Sequence, residues 1–252
     1  MKQENSQLNT SIVPKLSSIE DLFKNSFELY KKGFLKLIGL YLIGILAVIP
    51  IAALLLIWGI LTYFGLSNNA SNVAFGFVGA IILIASVFYI SVSAQAGIFL
   101  YFKKDYPKPG VFDLFNEARK KYFFPYLWVS ALTGMLVFLG FILFIIPGII
   151  LLVYYSFSVW VFMFEDKKGY EALKKSMSLV KGYWWAVAGR FALLYFTIYF
   201  ILAIPSLMIG EGLALQIWNS LLQLISFLIT PFFICYQYLI YKDLVKLKFN
   251  KK

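Results

Sequence analysis

No histidine occurs anywhere in the sequence. That excludes His-based nucleophilic triads, His proton relays and His metal ligands. A single cysteine, Cys235, rules out an internal disulfide and, with histidine missing, zinc sites of the Cys/His kind. No glycine-rich phosphate loop is present. Acidic residues number only 12, and none falls deep in an apolar run. The buried carboxylates that usually carry proton coupling in membranes are therefore missing, which argues against an ion-coupled transporter. Charge of either sign is scarce, at 14% of residues against about 25% in a soluble domain. It is wholly absent from Leu37 to Phe102, from Tyr122 to Phe164 and from Phe191 to Gly210. No cofactor, metal or catalytic set is expected, and the reading is non-enzymatic.

What remains is apolar. Hydrophobic residues make up 61% of the chain, against about 45–50% in soluble domains. Uncharged runs longer than about 18 residues are the mark of spanning helices. A barrel would alternate polar and apolar residues, and these runs do not. The net charge of +11 raises nucleic acid as a partner, but the positions of the 23 Lys and Arg argue for none. They fall into four clusters, within residues 2–36, 103–121, 167–190 and 242–252. The connections between successive apolar runs (67–72, Pro147–Gly148 and 210–212) carry neither Lys nor Arg. The positive-inside rule puts the basic clusters in the cytoplasm. The expectation is an all-α polytopic integral membrane protein of the cell membrane. It has six transmembrane helices as three hairpins, and both termini are cytoplasmic.

Residues 1–16 are polar and aperiodic and are expected as a mobile cytoplasmic tail. Residues 17–241 form the six-span membrane domain, and 242–252 form a basic cytoplasmic tail. A helix is expected from Ser17, with Ser17 and Glu20 at capping-box spacing. Ile19, Leu22, Phe23, Phe27, Tyr30 and Phe34 give it an apolar stripe opposite a lysine-rich face. Two further amphipathic segments follow, from Val111 to Tyr122 and from Tyr170 to Lys181; Tyr170, Leu173, Met177 and Val180 make the last stripe. All three are expected to lie on the cytoplasmic membrane surface, against anionic headgroups. Pro50 predicts a kink in span one, and Pro147–Gly148 a tight outer turn.

Glu165–Asp166, at the end of span four beside Lys167 and Lys168, reads as a solvated helix end rather than a metal or phosphate site. Arg190 sits about one and a half turns into span five. It either binds an anionic headgroup, with Lys174, Lys175 and Lys181 as neighbours, or reaches its stem back to the interface, the reading preferred here. Span six carries Gln216, Asn219, Gln223, Ser226, Thr230 and Gln237 at three- and four-residue spacing. Such a stripe lines a wet path or hydrogen-bonds to neighbouring helices, and the second is preferred. Ser91, Ser93, Gln95, Ser156 and Ser158 are its candidate partners. The six tryptophans, at 58, 128, 160, 184, 185 and 218, read as an interfacial belt.

The segment from Pro147 to Trp185 resembles a membrane domain found in some glycerophosphoryl diester phosphodiesterases and in related six-span proteins of bacteria and archaea. The shared residues are Pro147–Gly148, Glu165, Gly169, Glu171–Ala172–Leu173, Ser176, Lys181–Gly182 and Trp184. The resemblance implies a six-span fold. In those enzymes a separate soluble domain does the catalysis. It is expected to be absent here, since few residues follow span six, so phosphodiesterase activity is not implied. The functional expectation is a scaffold, assembly factor or lipid-interacting accessory, with membrane lipids and another membrane protein as partners. The alternative is a transporter or channel for a small solute or lipid.

Overall fold

The computed structural model describes residues 16–63, 70–104, 109–209 and 211–249. The tail expected at 1–16 lies outside these residues except for Leu16. So do residues 67–69 of the connection expected as an outer turn, residues 105–108, Gly210 and residues 250–252. Helix accounts for 91% of the described residues, and no strand occurs among them. The elements are α1 (Ile19–Leu46), α2 (Ile49–Tyr63), α3 (Ala70–Lys103), α4 (Val111–Glu117), α5 (Phe123–Leu143), α6 (Ile145–Tyr155), α7 (Ser158–Glu165), α8 (Gly169–Val180), α9 (Trp184–Met208) and α10 (Leu213–Phe249). Six helical stretches are long and apolar enough to cross a membrane. They are α1–α2, α3, α4–α5, α6–α7, α9 and α10. This is the architecture of a multi-pass membrane protein.

Three spans are interrupted, each for a readable reason. Pro50 has no N–H for the carbonyl of Leu46, and the chain breaks there at Ala47–Val48. Pro125 likewise leaves Lys121 without a donor, and a π-helical turn over Ala118–Tyr122 absorbs the mismatch between α4 and α5. Span four breaks at Ser156–Phe157, where no proline stands. Ser156 Oγ donates to Val153 O at 2.9 Å and Ser158 Oγ to Tyr155 O at 2.8 Å. Two hydroxyls in close succession, each returned to a carbonyl three residues back, compete with the helical ladder.

The buried core lies toward the basic clusters. In α1 the buried residues run from Leu22 to Leu40, in α3 the buried apolar residues run from Val92 to Phe102, and in α10 they begin at Pro231. Described residues of α2 are never buried. Polar contacts tie the basic segments together at this end. Lys103 pairs with Asp166 at 2.9 Å, and Lys104 with Glu117 at 2.9 Å. Ser17 N donates to Asp243 Oδ2 at 3.1 Å, and Lys248 Nζ to Lys181 O at 3.0 Å. At the centre stands Trp160, fully buried, with ring centroids of Phe99 at 4.6 Å, Tyr238 at 5.2 Å and Phe102 at 5.4 Å.

Several expectations change. The helix cap is Ser18, whose hydroxyl accepts from Asp21 N at 3.0 Å, one residue later than the expected Ser17–Glu20 box. The first two amphipathic segments are not separate surface helices. Residues 19–36 run unbroken into span one as α1, and residues 111–122 pass through the π turn into α5. No cap or proline stands between residues 19–36 and their span, and the π turn carries the second segment past the donor that Pro125 lacks. α8 is separate, but its apolar face packs into the bundle: Ala172, Leu173, Ser176, Leu179 and Val180 are buried while Tyr170 is exposed. The expected basic tail continues α10 to Phe249, because Leu244 and Leu247 extend its stripe into the core. The α5–α6 reversal falls at Phe144, and Pro147–Gly148 lie in the first turn of α6. Proline is tolerated there because first-turn N–H groups have no helical partner. Trp160 belongs to the core and not to an interfacial belt.

Candidate functional site

A groove of about 320 Å³ runs between the first half of α1 and the paired helices α9 and α10. Its α1 wall is Ile19, Phe23, Phe27 and Tyr30. These come from the stripe that the sequence marks at three- and four-residue spacing. Its other walls come from α9 (Leu194, Thr197, Ile198 and Ile201) and from α10 (Leu228, Phe232 and Tyr236). Ring packing fixes the seam, with Phe23 and Phe232 at 5.1 Å and Tyr30 and Phe232 at 6.2 Å. Tyr30 Oη closes one side by donating to Leu228 O at 2.8 Å.

Arg190 stands one turn before Leu194, on the same face of α9. Its Nη1 donates to Ala186 O at 3.0 Å and its Nη2 to Ser17 O at 2.8 Å. Its Nε is buried without a partner, and no carboxylate lies within ion-pair distance among the described residues. Tyr236, a groove residue, donates its hydroxyl to Arg190 O at 3.5 Å. Ser17 is itself held by Asp243, so α1, α9 and α10 meet at the guanidinium. The head turns back toward the start of α9, as a long stem reaching for an interface does. The site is thus an apolar slot, and the Arg190 guanidinium stands outside its lining, one turn along α9 from Leu194 and bonded to the chain just before Ile19.

The other candidate cations do not gather there. Lys175 pairs with Glu165 at 3.6 Å, Lys174 is exposed on α8, and Lys181 is exposed with its carbonyl bonded to Lys248. The span-six stripe divides in two. Gln237 Nε2 donates to Ser156 O at 2.7 Å, so the amide meets the break in span four. Thr230 Oγ1 bonds within its own helix, to Ser226 O at 2.7 Å. Gln216, Asn219, Gln223 and Ser226 are exposed. Of the expected serine and glutamine partners, only Ser156 touches the stripe, through its carbonyl. Ser91 bonds Gly44 O, Ser93 bonds Tyr89 O, and Gln95 accepts from Tyr126.

Two features escaped the sequence. The α1 stripe reads as a lipid-facing surface until α9 and α10 are seen against it. The span-four break is clamped by Ser176, whose hydroxyl donates to Tyr154 O at 2.7 Å and accepts from Phe157 N at 3.2 Å. The available signal was a serine among the buried positions of α8. Searches against family models, curated proteins and solved structures found no match to this chain.

Proposed function

We propose that this chain is a non-enzymatic membrane protein that holds an anionic lipid as an accessory of the membrane. An acyl chain fills the groove between α1 and α9–α10, and the headgroup meets Arg190. The observation that carries the reading is an apolar slot beginning one turn along α9 from a guanidinium that has no carboxylate partner among the described residues. A charged hydrogen bond to phosphate is roughly twice as strong as a neutral one, and arginine's planar fork suits it. The basic end is read as cytoplasmic from the charge alternation, which places the headgroup in the inner leaflet. In the likeness to the membrane domain of glycerophosphoryl diester phosphodiesterases, catalysis belongs to another domain, in keeping with an accessory role.

The test is retention of lipid by the full chain extracted in mild detergent from vesicles of equal phosphatidylglycerol and phosphatidylcholine. Wild type should hold phosphatidylglycerol in excess, Arg190→Gln should lose about tenfold of that preference, and Lys174→Gln should keep it. Equal retention of both lipids by wild type and Arg190→Gln refutes the proposal. A second reading, a path for a small solute or lipid lined by span six, is favoured only by the exposure of Gln216, Asn219 and Gln223.

A further inference from the structure

The exposed part of the α10 stripe has a period of its own. Gln216, Gln223, Thr230 and Gln237 are seven residues apart, and Asn219 and Ser226 fall three after the first two. These are the a and d positions of a heptad seam. The side chains of Gln216, Asn219 and Gln223 make no hydrogen bond among the described residues. The flanks of the seam, at the e and g positions, are Ser220, Leu222, Phe227 and Ile229, and the three apolar ones are half-buried. Water along the seam would wet those apolar flanks too, whereas a single helix laid along it covers amides and flanks together.

Depth makes the amides costly. At about 1.5 Å per residue, Gln223 lies about 15 Å inside the Leu213 end of α10 and about 28 Å from Lys242. A hydrocarbon layer is about 30 Å thick, so Gln223 falls within it, where an unpaired amide is penalised.

We propose that two copies of this chain pair through this seam, parallel to each other and about a twofold axis along the membrane normal. Copies inserted in one orientation can only meet in parallel, and the twofold axis then brings each residue against itself. A carboxylate or lysine at such a position repels its copy. An amide carries both a donor and an acceptor, so glutamine pairs with glutamine and asparagine with asparagine. Ser226 and Thr230 continue the seam with short side chains that permit close approach. The inner end of the same face is already occupied, since Gln237 meets Ser156 and Leu244 is fully buried. The pairing is therefore confined to the part of α10 from Leu213 to Thr230.

Single-cysteine full-length chains in a Cys235→Ala background, oxidised in native membranes, test the seam. Gln216→Cys, Asn219→Cys and Gln223→Cys should cross-link to dimers; Ile217→Cys, Leu221→Cys and Leu224→Cys should not. In fluorescence-transfer measurements in vesicles, Asn219→Leu/Gln223→Leu should weaken association by roughly tenfold or more, with the monomer still folded because these amides are exposed and make no hydrogen bond among the described residues. Cross-linking without periodicity, or a monomer at every protein-to-lipid ratio, overturns the proposal. Rapid reaction of Gln223→Cys with a water-soluble thiol reagent, with no dimer, also overturns it and supports the solute path.

Discussion

Ser176→Ala should destabilise the fold far more than the loss of one hydroxyl suggests. The side chain is fully buried and serves two backbone groups at the break in span four, accepting from Phe157 N and donating to Tyr154 O. The break cannot serve them itself, because the ladder is interrupted at Ser156–Phe157. Removing the hydroxyl leaves a donor and an acceptor unpaired beside the fully buried Phe157 and Trp160. Each such group costs about 1–3 kcal/mol, so a loss of about 2–6 kcal/mol is expected. For a chain of this length that lowers Tm by roughly 4–24 °C. The measurement is thermal unfolding in one detergent at one scan rate. The control is Ser178→Ala on the same helix, where an exposed hydroxyl bonds Lys175 O at 2.8 Å and the change should be under about 0.5 kcal/mol. Gln237→Leu removes the donor to Ser156 O and should cost about 1 kcal/mol. The double variant should cost less than the sum, since both side chains hold one break. Equal Tm for Ser176→Ala and Ser178→Ala refutes the reasoning.

Trp160→Ala removes the centre of the aromatic cluster and should lower stability by about 3–5 kcal/mol. Trp160→Phe should cost less, because it also removes a buried Nε1–H that has no partner; the same unfolding curves decide, and a milder alanine than phenylalanine variant counts against the packing account. Gly140→Ala puts a Cβ 3.0 Å from Gly148 Cα in the α5–α6 hairpin, and should cost about 1–3 kcal/mol. Gly134→Ala on the same helix meets nothing within 4 Å and should instead gain up to about 1 kcal/mol. Opposite signs in Tm are the result to look for.

Much of this fold is legible from charge alone. The uncharged runs place all six candidate spans, and the polar contacts between basic segments tie them together at one end. Legibility fails where local and tertiary signals share a pattern. An amphipathic stripe such as Ile19 to Tyr30 looks the same whether it meets lipid or two other helices, since both are apolar. The break at Ser156–Phe157 carries no glycine or proline, and serines are ordinary in spans, so only the carbonyls they return to reveal it. Trp160 shows the same limit, because tryptophan at a predicted interface also suits an aromatic core.

The groove and the seam both follow from how the core is distributed. Buried residues of α10 begin at Pro231, and those of α1 end at Leu40. The hairpins are thus packed together near the basic end and left to other partners beyond it. Near the basic end, α9 and α10 do not close fully around α1's aromatic side chains, and the remainder is the slot that begins one turn along α9 from Arg190. Beyond it, the described residues provide no cover for the amides of α10. A water-soluble protein would leave such amides to solvent at no cost. In hydrocarbon the same exposure requires a partner, which is why polar residues on the uncovered part of a span carry more functional information than the larger number of apolar ones around them.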